Sequence, residues 1–125
     1  MPFRSFVLFF SVFVFSSLAQ AQSFDGRYEG KLLLTQGADC GEKSEIFQAD
    51  VKGKTIRIVS PRANKPFEGS IQDNGQFFAT GDYSAGGKKV TLEWRGQILA
   101  TKTALGTALL KSDGFCQFLL SLKRN

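Results

Sequence analysis

The sequence predicts an all-β protein: a small antiparallel meander or barrel-like sheet of about eight strands, following a cleaved N-terminal signal peptide. Three observations carry that expectation. Apolar residues recur with period two after residue 22, as they do on strands with one packed and one wet face. Turn residues separate those runs at short intervals. No window of 11 or more residues keeps a helical apolar stripe.

The chain opens with a single Arg4, an apolar run from Phe6 to Phe15 broken only by Ser11, and Ala19-Gln20-Ala21. That is the layout of a secretory signal peptide with a small-x-small cleavage site. The run is too short for a spanning helix, which needs about 20 apolar residues. Residues 1–21 are therefore expected to leave, and residues 22–125 to form a single β domain of 104 residues (125 − 21). Arg4 leaves with them, so the net charge falls from +5 to +4. The mature protein is expected to be periplasmic or secreted and to span no membrane.

The first strand reads "YEGKLLL", with Tyr28, Gly30, Leu32 and Leu34 on one face. "IFQADV" offers Phe47, Ala49 and Val51, and "KTIRIV" alternates Ile56 and Ile58 against Arg57. "FEGSIQ" places Phe67, Gly69 and Ile71 together, and "VTLEW" does the same for Val90, Leu92 and Trp94. The closing strand sets Cys116, Phe118, Leu120 and Leu122 against Gln117, Ser121 and Lys123. Between them, Asp73-Asn74-Gly75 predicts a type I′ hairpin, and turns are expected at Gly53, Ser84–Gly87 and Ser112–Gly114. "SPRANKP", Ser60 to Pro66, is a proline-punctuated loop. "TKTALGTALLK", Thr101 to Lys111, is read as a hairpin because Gly106 and its threonines disfavour a helix, with a short helix as the alternative. Gly30, Gly69, Gly81 and Gly96 fall inside strands, where glycine marks a bulge or a tight bend.

The two cysteines, Cys40 and Cys116, are expected to pair, since an exported protein meets an oxidising compartment. The chain has no histidine, so a catalytic thiol lacks its usual base. Two cysteines alone are also too few for a zinc site. The bridge would close a loop of 77 residues (40 to 116 inclusive), worth roughly 4 kcal/mol by chain entropy.

Little else carries chemistry. Catalysis would rest on carboxylates, lysines or hydroxyls, and no phosphate loop, calcium loop or glycosylation sequon is present. No catalytic, cofactor-binding or metal-ligating residue is assigned, and no cofactor is expected. The basic excess reads first as ordinary solubility, with acids interspersed throughout; the alternative is attraction to an envelope protein, a glycan or another anionic ligand, with no specific nucleic-acid recognition expected. Tyr28, Tyr83 and Trp94 are pocket candidates, although aromatics at alternating positions are more often core. Period two sends Phe115 and Leu119 outward on the closing strand. With Lys123 and Arg124 as a basic rim, they form the candidate contact patch. The alternative is that "SPRANKP" folds over that pair.

The mature chain resembles a group of small exported β-rich proteins of Gram-negative bacteria, of the alphaproteobacterial type. The likeness rests on Phe24-Asp25-Gly26-Arg27-Tyr28, on Cys40 soon after, on Gly69-Ser70-Ile71 and Gly96-Gln97-Ile98, and on a second cysteine before a basic end. Phe24 and Tyr28 stand where tryptophans are common. The resemblance implies a periplasmic or secreted address and assigns no active residues. The outline is also similar to lipocalin-like and avidin-like barrels, a fold analogy. The expected function is a non-enzymatic binding or envelope-associated module. The alternatives are a carboxylate-based hydrolase of cell-wall or extracellular glycans, and a secreted enzyme inhibitor whose contact loop would be "SPRANKP".

Overall fold

Period two becomes eight strands: β1 (Gly26–Gln36), β2 (Ser44–Lys52), β3 (Thr55–Val59), β4 (Phe67–Ile71), β5 (Gln76–Ala85), β6 (Lys88–Ile98), β7 (Thr103–Lys111) and β8 (Phe115–Arg124). The computed structural model describes residues 23–112 and 115–125. The expected signal peptide, residues 1–21, lies outside the described residues, as do Asp113 and Gly114 of the last turn. Each strand runs antiparallel to the next, and β8 returns to β1, closing the barrel. Closure removes the sheet edges that would otherwise invite pairing with another chain.

Side chains fill the interior. Trp94, Tyr28, Phe47, Phe67 and Phe118 are fully buried there. The Trp94 ring lies 4.8 Å from Phe47 and 5.4 Å from Phe67. Inward-facing glycines make room for these rings. A β-carbon on Gly81 would stand 2.7 Å from Phe67, and one on Gly30 would collide with Phe47. Outward positions carry charges in exposed pairs such as Arg27–Asp50 and Arg57–Glu68. A membrane-spanning barrel shows the reverse pattern, apolar outside and polar within.

The Phe24–Tyr28 motif closes one end. Phe24 is buried, and the Tyr28 hydroxyl donates to its carbonyl at 2.6 Å. Burial pushes the Tyr28 phenol above its usual range. Lys102 Nζ sits 5.1 Å from the Phe24 ring and donates to the Ser23 carbonyl. Asp25 accepts the Gly53 amide at 2.9 Å. This plugged end carries the β2–β3, β4–β5 and β6–β7 turns. The opposite end carries the β1–β2, β3–β4, β5–β6 and β7–β8 connections.

Two turns differ from expectation. Gly75 alone has positive φ at Asp73–Gly75, and its amide donates to the Gln72 carbonyl at 2.9 Å. Asp73 and Asn74 therefore form a right-handed turn followed by a left-handed glycine, a three-residue loop and not a type I′ hairpin. Asn74 stabilises it by accepting the Gln76 amide at 3.0 Å. The type I′ signature belongs to Gly86-Gly87, with φ of 61° and 79° between the paired Ala85 and Lys88. Thr101–Lys111 is not a hairpin. The reversal lies at its start, between Leu99 and Lys102, where Lys102 takes φ 66° and its amide donates to the Leu99 carbonyl. Thr103–Lys111 then runs as one strand, with Gly106 directly opposite Gly96.

Candidate functional site at the barrel mouth

At the open end, inward-facing residues run out of apolar partners. Parity along β2 points Phe47, Ala49 and Val51 inward, and the same parity points Glu45 inward at the rim. A carboxylate there demands a partner, because an unpaired buried charge is very costly. Arg62 of the β3–β4 loop supplies it. Its Nε stands 2.6 Å from Glu45 Oε1, and the two side chains are only 10% and 5% exposed. The contact is ionic, without the alignment of a hydrogen bond. Ser60 donates its hydroxyl to Glu45 Oε2 at 2.5 Å.

The rest of Arg62 stitches two loops together. Nη1 donates to the Cys40 carbonyl and Nη2 to the Glu42 carbonyl, both at 2.9 Å, and the guanidinium lies 4.6 Å over the Phe118 ring. The β1–β2 and β3–β4 connections are thus held to each other and to the core. The Cys40–Cys116 disulfide adds a covalent tie, with α-carbons 5.9 Å apart, between the β1–β2 loop and the start of β8. Ser60 and Arg62 thus anchor the first half of "SPRANKP", while Asn64 and Lys65 are exposed. The segment does not cover the outer face of β8, since Phe115 and Leu119 are 50% and 48% exposed.

These ties frame a cleft of about 700 Å³, within the range of small-molecule sites. The β1–β2, β3–β4 and β7–β8 connections contribute to it, with Ala85 and Lys88 from the ends of β5 and β6. Tyr83, Ala85, Val90, Leu110 and Phe115 make one apolar wall, with the disulfide at its edge. Asp39, Glu42, Glu45 and Arg62 make the polar wall. Val90 and Leu110 are nearly buried and form its floor. Nearby on the outer face, Asp82 accepts the Thr91 hydroxyl at 2.6 Å with Lys89 3.4 Å away. The Thr91 bond, then Lys89, hold its carboxyl below the usual range.

The sequence-predicted residues separate here. Cys40 and Cys116 meet as expected. Tyr83 lines the cleft, whereas Tyr28 and Trp94 are core. Phe115 belongs to the cleft rim. Leu119 instead faces Leu33 across the β1–β8 ladder, and Leu33 is itself 53% exposed. Lys123 stands opposite Glu29, and Arg124 pairs with Tyr28 near the plugged end. Phe115 and Lys123 are eight residues apart on one strand, about 27 Å at strand rise. The candidate patch thus extends along the outer face of β8. Sequence reasoning missed Glu45 and Arg62, although the inward parity of β2 was a signal for the first.

Both Glu45 oxygens are engaged, Oε1 by Arg62 and Oε2 by Ser60. Among the described residues, no group of three or more Cys, Asp and Glu is arranged to hold a metal ion. No known protein family, curated protein or solved structure matches the chain.

Proposed function

We propose that the protein is an exported, non-enzymatic binding module, periplasmic or secreted, that takes its ligand at the disulfide-tied mouth of the barrel. One observation carries the reading: the interior is packed with aromatic side chains while a cleft of about 700 Å³ opens at one end. A lipocalin-like mode, with the ligand deep in the barrel, has no room here. Loops on a rigid scaffold are where binding residues concentrate, and these loops are fastened to each other before any ligand arrives. Such preorganisation lowers the entropic cost of binding. Export is supported by the signal-like N-terminus, by the disulfide, and by the resemblance to small exported proteins. Among the described residues no helix is long and apolar enough to cross a membrane.

The test is affinity capture from envelope extract, using mature, oxidised protein beside an Ala85→Arg variant that fills the apolar wall. Mass spectrometry of both the protein and small-molecule fractions should find a component retained by the wild type and lost with the variant. Equal retention by the two proteins, or none by either, would contradict the reading.

A further inference from the structure

The two walls of the cleft differ in chemistry, and the difference defines a class of ligand. On the apolar wall, Val90 and Leu110 sit at the bottom with Tyr83 and Phe115 above them. That wall suits a short alkyl or aryl body, which gains about 0.8 kcal/mol per methylene removed from water.

The polar wall is rich in acceptors. Asp39, Glu42 and Glu45 supply three carboxylates, against the cations of Arg62 and Lys88. Arg62 and Glu45 satisfy one another. Among the described residues, the carboxylates of Asp39 and Glu42 have no hydrogen-bond or ion-pair partner, while Lys88 across the cleft already has an interaction of its own. The arrangement also fixes where Asp39 stands. Its φ of 57° sets it in the left-handed region, one residue before the disulfide-bonded Cys40. Tyr83 and Phe115 line the same cleft as these carboxylates.

Resting on the mouth as the binding site, we infer that the cleft takes a small amphipathic cation: a short apolar body on Val90, Leu110, Tyr83 and Phe115, and an ammonium group directed at Asp39 and Glu42. An anionic amphiphile of equal size meets the same apolar wall but faces those carboxylates. A hydrophilic oligosaccharide meets the carboxylates but gains nothing from the wall.

Amide chemical-shift mapping on mature, oxidised protein tests this, with octylamine, phenethylamine, octanoate and chitotriose as probes. The two amines should move the amides of Asp39, Gly41, Ala85 and Leu110 and saturate, and octanoate should bind more weakly. An Asp39→Asn/Glu42→Gln variant should weaken octylamine by about three- to tenfold, the scale of two exposed charge contacts, and bring octanoate level with it. Asparagine tolerates the left-handed conformation, so this variant keeps its loop. Three results would overturn the inference: octanoate binding as tightly as octylamine to the wild type, chitotriose moving these amides when the amines do not, or silence to all four probes. The binding-module reading stands or falls separately, on whether the Ala85→Arg block removes a captured component.

Discussion

Removing Arg62 should cost far more than removing any other arginine of the barrel. Arg27 and Arg57 form exposed ion pairs, and such pairs are worth about 0–1 kcal/mol. Arg62 is different because its side chain is 10% exposed and that of its partner Glu45 is 5% exposed. Arg62→Ala strands a carboxylate in the barrel mouth, a loss of about 3–5 kcal/mol for a broken buried pair. It also frees the Cys40 and Glu42 carbonyls, which return to water at smaller cost. Against a total stability of about 5–15 kcal/mol for a domain of this kind, the loss is large. With a urea slope of about 2 kcal/mol/M, the midpoint should fall by about 2 M. Urea unfolding of mature, oxidised protein at pH 7 measures it. Glu45→Gln in the Arg62→Ala background should recover a substantial part of the loss, because an amide is cheaper to bury than a charge. An Arg62→Ala loss below about 1 kcal/mol, the surface-pair scale, would refute the claim that this pair fastens the mouth.

Three further outcomes follow from the same structure. Replacing Cys116 by Ser should lower stability by about 2–5 kcal/mol, read from the same urea curves, with the wild type lighter by two hydrogens than its reduced form in intact-mass analysis. Tyr28→Phe removes the hydroxyl bond to Phe24 and should cost about 0.5–1.5 kcal/mol. The Tyr28 phenol is raised by burial in the folded state, so its stabilisation is complete below the unfolded value of 10.0 and fades as pH climbs through the folded one. The wild type should therefore lose stability above pH 10 faster than Tyr28→Phe; parallel curves would deny that cause. Leu119→Lys, on the exposed outer face of β8, should change stability by less than about 0.5 kcal/mol, and a mutant that fails to fold would place Leu119 in the core.

Much of the barrel was legible because antiparallel strands with one wet face write their register into alternation. Every inward residue expected on the closing strand, Cys116, Phe118, Leu120 and Leu122, is buried. Turn geometry was less legible. Asn-Gly at residues 74–75 carries the strongest hairpin signal, yet the loop spans three residues because Asp73 and Asn74 prefer the right-handed turn that Asn74 caps. Lys102 adopts a left-handed backbone that no residue type announces, so the start of β7 stayed hidden. The mouth was least legible. Glu45 lies in β2 and Arg62 in the loop after β3, and the β2–β3 pairing, with Gln48 opposite Val59, carries both to the mouth, where one guanidinium serves the β1–β2 and β3–β4 connections. A charge in a strand and a charge in a loop read as two solvated groups until the fold joins them.

The central claim is that ligands meet this barrel at its mouth and nowhere deeper. The most direct measurement is amide chemical-shift mapping of mature, oxidised protein against the component retained in envelope capture. Changes should cluster at residues 38–42, 61–62, 83–88 and 110–112, leaving the Leu33 and Leu119 outer face and the amides around Trp94 unmoved. Changes centred instead on Trp94 and Phe47, or on Leu33 and Leu119, would contradict the account.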